Sequence, residues 1–301
     1  MKILVCDKIA PEGVKRLEAA GHEVDVRTGL APDELEKVIE PYHAVIVRSA
    51  TKIRKPHIDR AKNLKVIARG GVGVDNIDVE HAEARGIRVL NTPGASTVSV
   101  AELTFAHLLA AARNVGRGTV TTKAGQWEKK ACEGVELSGK TLGLIGCGRI
   151  AREVARRAAA FGMKVLGSDP YVKAGQAGDV EVTSLDRVIA ESDFISLHTP
   201  LTDETRNIVN EAAIAKMKKG VVIVNCGRGG TLDETALARA LDSGHVRAAG
   251  LDVFSTEPVP GDYAILTRDN VSFTPHVGAS TAEAQARVGV EVAQVVIDAL
   301  K

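Results

Sequence analysis

The sequence predicts an α/β protein made of two doubly wound parallel-sheet domains. Three observations carry this expectation. Short, near-continuous apolar runs alternate with helical patterns along almost the whole chain, as parallel strands buried on both faces require. A glycine turn that joins a strand to a helix stands in mid-chain, at Gly146 to Ala151, with a complete strand–helix series before it and another after it. The 301 residues are enough for two domains of ordinary size.

In chain order, the first strands are expected at 3–6, 23–27, 44–48, 65–68 and 88–91. Helices at 11–20, 32–39, 56–61 and 78–84 separate them. Pro11, Pro32 and Pro56 stand at or near three of these helix starts, where a missing N–H costs nothing. A longer helix over 96–113 then crosses into a second sheet. It carries Glu102 and His107 and is too short to span a bilayer. The second sheet collects strands at 142–145, 165–167, 194–197, 221–225, 249–253 and 272–274, with helices at 149–161, 185–190, 211–216 and 233–243. The last helix, 282–300, places Val288, Val292, Val295, Val296, Ala299 and Leu300 at helical spacing. It must pack somewhere, and a return to the first domain is expected.

Bulk properties remove several function classes. Thirty-nine basic and 38 acidic residues nearly cancel, so net charge points to neither nucleic acid nor membrane. The N-terminal residues 1–5 read as a strand rather than a signal peptide. Cys6, Cys132, Cys147 and Cys226 form no C-x-x-C pair and lie at no zinc-like spacing to histidine. They are expected to be buried, reduced thiols in a cytoplasmic protein, with no metal site.

The most specific local pattern is T-L-G-L-I-G-C-G-R-I-A at 141–151. An apolar strand enters the turn, a helical pattern leaves it, and the next strand ends at Asp169, 21 residues beyond Gly148. This is the βαβ layout that binds a dinucleotide. Gly146 permits the tight turn, Gly148 lets backbone approach a pyrophosphate, and small Ala151 lets helix and strand pack closely. The pyrophosphate is expected on the helix N-terminus, where free N–H groups favour an anion. Asp169 suits a ribose 2′-OH and repels a 2′-phosphate, and Pro170-Tyr171 bring no arginine, so NAD is expected over NADP. The alternative is a glycine-rich turn in some other doubly wound protein.

Three further residues stand at predicted strand ends, where open α/β sheets bind ligands. Arg228 lies in N-C-G-R-G-G (225–230), Glu257 in D-V-F-S-T-E-P (252–258) and His276 in P-H-V-G-A-S-T (275–281). Singly, each reads as an ordinary surface or loop residue. Together they suit alcohol oxidation: a histidine titrating near neutrality takes the proton, a carboxylate orients it, and a guanidinium grips a substrate carboxylate.

With these motifs the chain resembles the NAD-dependent D-isomer-specific 2-hydroxyacid dehydrogenases over essentially its whole length. The resemblance also rests on I-V-R-S-A-T-K (46–52), G-V-G-V-D-N-I-D (71–78), N-T-P (91–93), A-E-L-T (101–104) and S-L-H-T-P-L-T (196–202). It implies a Rossmann NAD-binding domain, residues 97–277, inserted into a flavodoxin-like substrate domain, residues 1–96 with 278–301, and a hinged cleft between them. It implies Arg228, Glu257 and His276 as catalytic residues. NAD contacts would come from Gly146, Gly148, Arg149, Ile150, Asp169, Thr199, Cys226, Gly227, Asp252 and Gly278. A homodimer through residues 97–140 is also implied.

The substrate expected is a small phosphorylated 2-hydroxyacid. Arg48 ends a strand, and Arg69 precedes Gly70, Gly71 and Val72, whose amides could form an anion nest. In the family such a nest holds the carboxylate, and the two arginines look like phosphate ligands; otherwise they are surface cations at turns. Lys129 or Lys130 could reach a neighbouring subunit's substrate, although relatives often carry arginine there. A reductase of unphosphorylated acids is the competing expectation within the class. An NAD-sensing protein without turnover is the competitor outside it. Longer members acting on the phosphorylated acid continue into a serine-binding domain past this last helix, so serine feedback is not expected of this chain.

Overall fold

The computed structural model describes residues 1–301 and divides into two units, one formed by 1–97 with 279–301 and the other by 98–278. In the first unit, strands β1 (Lys2–Val5), β2 (Glu23–Val26), β3 (Ala44–Val47), β4 (Val66–Arg69) and β5 (Arg88–Asn91) alternate with helices α1 (Pro11–Ala19), α2 (Pro32–Val38), α3 (Lys55–Arg60) and α4 (Val79–Ala84). All pair in parallel, in the order β2-β1-β3-β4-β5. This flavodoxin-like order reverses between β1 and β3, which opens a crevice at their carboxyl ends.

Period-two alternation builds a core on each face. Leu4, Val45 and Val47 join one cluster, and Ile3, Val5, Ala44 and Ile46 join the other. The long C-terminal helix, residues Ala282–Leu300, closes the second face by burying Val292 and Val296 against Ile3, Val5 and Leu17. Each such side chain stabilises by about 1.5–3 kcal/mol. This helix also crosses α1 at two glycines: a Cβ on Gly13 would stand 2.3 Å from the Gly289 carbonyl oxygen.

The second unit opens, from the second residue of α5 (Thr97–Ala112) onward, with α5 and α6 (Val115–Lys123). Strands β6 (Thr141–Ile145), β7 (Lys164–Ser168), β8 (Glu181–Val182), β9 (Phe194–Leu197), β10 (Val221–Asn225), β11 (Val246–Leu251) and β12 (Val271–Phe273) follow. They form a parallel sheet in the order β12-β11-β10-β9-β6-β7-β8, which reverses between β6 and β9. Helices α7 (Arg149–Ala160), α8 (Leu185–Glu191), α9 (Glu211–Ala215), α10 (Glu234–Asp242) and the C-terminal helix, here α11, complete the count. The two faces are again separate: Val222 and Val224 join one cluster, Val221 and Ile223 the other.

Several details depart from the sequence reading. Helix α6 carries no sequence signal, because V-G-R-G-T-V-T-T-K holds two glycines and five β-branched positions of low helix propensity. Strand β8, two residues long, and the 3₁₀ turn at Ala264–Thr267 also carry too little pattern to be read. Strand β11 starts three residues before the expected 249 and ends before Asp252, which leaves the ladder to anchor a turn. Of the cysteines expected to be buried, Cys132 is only partly so. No helix is long and apolar enough to cross a membrane.

Candidate active site

In the second unit, the crevice where the strand order reverses is lined by the glycine turn and the end of β9. Gly146 has φ 93°, and a Cβ there would lie 2.8 Å from the His198 carbonyl oxygen. Only glycine satisfies both demands. Gly148 caps α7 without a side-chain hydrogen bond, and a Cβ on it would meet nothing within 4 Å. The start of α7 thus has no side-chain cap and open space beside Gly148, as a pyrophosphate needs. Asp169 stands beside them: one carboxylate oxygen accepts from the Cys147 N–H at 2.9 Å, the other from the Tyr171 N–H at 2.9 Å. Thr199 Oγ1 and His198 Nδ1 are buried without a partner. Such orphaned groups, beside an uncapped helix start and an anchored acid, fit a dinucleotide that completes their bonding. Burial holds the His198 imidazole down to about 4, so it is neutral there. Burial likewise pushes the Cys147 thiol up to about 11 and the Cys226 thiol up to about 12, which removes thiolate chemistry from this crevice.

Arg228, Glu257 and His276 come from three turns after β10, β11 and β12. Asn225 donates from its amide to the Arg228 carbonyl at 2.9 Å, and Thr231 Oγ1 donates to the same oxygen at 2.7 Å. Gly229 lets this turn press on the next one, since a Cβ there would fall 1.8 Å from the Phe254 oxygen. The Phe254 N–H in turn donates to Glu257 Oε1 at 3.0 Å. The other carboxylate oxygen of Glu257 lies 2.7 Å from His276 Nδ1. Partial burial alone would raise the Glu257 carboxyl. The hydrogen bonds from His276 and Phe254, with the charges of His276 and Arg228, outweigh it and hold the group below its usual value. An ionised carboxylate only accepts, so His276 carries a proton on Nδ1 and presents Nε2 as a proton acceptor. His276 sits at φ 52° with its side chain 41 % exposed, so the ring is accessible to a reactant. Chemically, the group can take a proton from an alcohol or return one to a carbonyl.

In the first unit, Arg48 follows β3 at the crevice where that sheet reverses. Its N–H and the Thr51 hydroxyl both bond Asp7, which follows β1. Arg69 ends β4, paired in register with Val47. The two guanidinium-bearing residues thus sit on neighbouring strand ends. Gly71 has φ 149°, and its missing Cβ makes room for the Arg69 side chain. Burial lowers the Arg48 guanidinium, opposed by the charge of Asp7. Gln285 accepts from one Arg48 nitrogen, while Arg48 Nε is buried with no partner. Lys129 is exposed beside Trp127 on the segment after α6, lining a groove with Val115, Gly118 and Cys132.

Residues 105–278 match the model of the D-isomer-specific 2-hydroxyacid dehydrogenase NAD-binding domain. The chain belongs to the D-isomer-specific 2-hydroxyacid dehydrogenases. It is an NAD-dependent enzyme family, and its members' sequences run through this chain from end to end. A hydroxypyruvate reductase of Thermotoga maritima is 57 % identical over 267 residues, covering 88 % of this chain and 87 % of that protein. A D-3-phosphoglycerate dehydrogenase of Methanocaldococcus jannaschii is 51 % identical over 98 % of this chain, which spans only 56 % of that longer protein. The D-lactate dehydrogenase of Aquifex aeolicus, solved with NAD and lactic acid, superposes with a TM-score of 0.85 at 31 % identity, covering 98 % of this chain and 94 % of that one.

For a dehydrogenase of this family, several supporting residues escaped the sequence reading. Asp7 directly follows β1 and Gln285 lies on α11, and neither carries a local signal of its contact with Arg48. Glu234 is the first residue of α10, where an acid ordinarily faces water. It is instead buried, accepting from the Ser255 N–H at 2.8 Å, the Ser255 hydroxyl at 3.0 Å and the Tyr263 hydroxyl, and so staples the turn that bears Glu257. Nothing local in the sequence signals that burial.

Proposed function

We propose that the chain oxidises D-3-phosphoglycerate to 3-phosphohydroxypyruvate with NAD, the entry step of serine biosynthesis. The observation that carries the phosphorylated substrate is the placement of Arg48 and Arg69 on neighbouring strand ends, at the carboxyl edge of a parallel sheet. The buried, unmatched Nε of half-buried Arg48 supports an oxyanion nearby, and the name of the Methanocaldococcus relative agrees. In this reading the unit of 1–97 and 279–301 binds substrate through Arg48, Arg69, Gly70, Gly71 and Val72, with Lys129 as an added cation from a second subunit. The unit of 98–278 holds NAD through Gly146, Gly148, Arg149, Ile150, Asp169, Thr199, Cys226, Gly227, Asp252 and Gly278.

Catalysis is assigned to Arg228, Glu257 and His276. NAD, when bound, supplies the carbon that accepts the hydride from the substrate's hydroxyl-bearing carbon. The chain's own part is proton transfer and charge. His276 Nε2 takes the hydroxyl proton during oxidation and returns it during reduction. Glu257 fixes the ring through Nδ1–H and stabilises the imidazolium that forms. Arg228 grips the substrate carboxylate and polarises the reacting oxygen.

A second reading has a specific observation behind it: the Thermotoga relative, named a hydroxypyruvate reductase, is 57 % identical. One steady-state panel separates the two. Phosphorylated and unphosphorylated 2-hydroxy and 2-oxo acids are run with wild type, Arg48→Ala and Arg69→Ala. The phosphoglycerate reading expects each substitution to raise KM for the phosphorylated acid by about ten-fold or more, a charge-assisted bond being worth 1.5–3 kcal/mol, with little change for glyoxylate. High glyoxylate or hydroxypyruvate turnover with none on the phosphorylated acid would decide for the second reading. NAD binding without turnover of any acid would decide for a sensor. We also infer a homodimer through residues 97–140, supported by Val115, Val120 and Trp127, which are 53 %, 69 % and 84 % exposed.

A further inference from the structure

Helix α5 carries a histidine that the catalytic trio does not use. His107 is 3 % exposed and lies under the strand ends that lead to Asp252 and His276. Gly250, in β11, admits it: a Cβ there would stand 2.6 Å from the His107 Cβ and 3.0 Å from its Cγ. The imidazole bridges two hydroxyls of the neighbouring strand end, with Nδ1 2.7 Å from Ser272 Oγ and Nε2 2.8 Å from Thr274 Oγ1. Thr274 Oγ1 also lies 2.6 Å from Asp252 Oδ1.

The proton positions in this chain are determined. A carboxylate oxygen can only accept, so Thr274 spends its one hydroxyl proton on Asp252. Thr274 Oγ1 then has only lone pairs left for His107, and His107 must carry its proton on Nε2. Burial lowers the His107 imidazole, opposed by the charge of Asp252, so the ring is neutral and its Nδ1 accepts from Ser272. The polarity runs one way: Ser272 hydroxyl to His107, His107 to Thr274, Thr274 to Asp252.

Asp252 is where this chain meets the reaction. Its carbonyl accepts from the His276 N–H at 2.8 Å, Oδ1 accepts from the Val277 N–H at 2.8 Å, and Oδ2 accepts from the Gly278 N–H at 2.9 Å. One residue thus holds three successive amides of the turn in which His276 takes φ 52°. A left-handed, non-glycine conformation is unfavourable and persists only where the surroundings impose it.

We propose that His107 is a positioning residue for the proton transfer, acting through Thr274 on Asp252 and so on the turn that presents His276. The inference rests on the assignment of His276 as acid and base. It extends that assignment to a second histidine, on a helix remote in sequence, that never touches the reactants.

The test compares wild type with His107→Met, His107→Gln, Thr274→Val and the double variant His107→Met/Thr274→Val. Thermal midpoints, NADH affinity, KM and kcat for reduction of the preferred 2-oxo acid are measured for each. Met fills the ring's volume without donating. Gln places an N–H near the position of Nε2 and restores the donation to Thr274. The expected result is a kcat about ten-fold lower in His107→Met, with KM within about two-fold, because proton transfer is lost from the transition state and not from ground-state binding. His107→Gln should recover most of that loss. The double variant should be no slower than Thr274→Val alone, since two links of one chain are not additive.

A His107→Met enzyme with wild-type kcat overturns the inference, as does a His107→Gln enzyme as slow as His107→Met, or losses that multiply in the double variant. Should His107→Met fail to fold, the near-isosteric Thr274→Val decides alone, and a kcat within about two-fold of wild type defeats the proposal. A wild type that turns over no 2-oxo acid defeats the dehydrogenase assignment itself, and this inference falls with it.

Discussion

At the residue scale, the contact between His276 and Glu257 has the greatest chemical consequence. Glu257 is fixed from both sides, by the Phe254 N–H and by His276, so its carboxylate has little freedom to turn away. With the imidazole held by Nδ1, the proposed mechanism routes the proton through Nε2. His276→Ala should therefore lower kcat by about 10²–10⁴-fold while leaving NADH affinity nearly intact; a retained rate, measured alongside NADH fluorescence titration, would remove His276 from the mechanism. Asp169 makes a separate prediction. Its carboxylate stands over the glycine turn, and in the proposed NAD site it would bond the ribose hydroxyls. Asp169→Ala should cut the NAD-over-NADP preference in kcat/KM by about ten-fold or more, charge-assisted bonds of this kind being worth 1.5–3 kcal/mol, and an unchanged ratio would refute the ribose contact.

At the scale of elements, the crossing of α1 and α11 sets two backbones against each other at Gly13 and Gly289. In an exposed helix, Gly13→Ala would stabilise by about 1 kcal/mol. Here the added Cβ would meet a backbone carbonyl at 2.3 Å, which cannot swing aside as a side chain could. The helices must separate, and overpacking of this kind costs about 1–3 kcal/mol, so the net effect expected is a lower unfolding midpoint. Calorimetry of Gly13→Ala checks the sign. The same reasoning explains what the sequence revealed and withheld at this scale. Strands β9 and β10 and helix α11 were legible to the residue, because burial on both faces or one clear stripe leaves a periodic record. Helix α6 left no record, since its glycines and threonines have low helix propensity and none of its residues is buried to write an apolar stripe.

At the scale of the whole molecule, the apolar side chains left exposed after α5 give the proposed homodimer its test. Val115, Val120 and Trp127 cluster on one short stretch, and a groove of about 670 Å³ lined by Leu103, Val115, Val120, Leu266 and Phe273 adjoins it. Sedimentation velocity should report twice the mass of one chain. Val120→Glu with Trp127→Glu should shift the protein to monomer, because burying two carboxylates unpaired in an interface is strongly unfavourable. A wild-type monomer at micromolar concentration would end the proposal. The two sheets also share one logic: each reverses its strand order once, and each reversal carries candidate ligand residues, Arg48 with Asp7 in one and Gly146 with Thr199 in the other.

Read alone, the amino-acid sequence determined the two parallel sheets and the glycine turn after β6, and it singled out Arg228, Glu257 and His276 as candidates. Those features are written locally, as strand periodicity, glycines at fixed offsets and polar residues just past apolar runs. Folding decided which of them meet. That Glu257 bonds His276 Nδ1 rather than standing free, that Asp7 anchors Arg48, and that His107 reaches Asp252 through Thr274 all depend on contacts between residues 19 to 167 positions apart. Hydrogen-bond partners at such separations leave no periodic trace in the chain, because a hydrogen bond is set by distance and angle in space and not by spacing along the backbone.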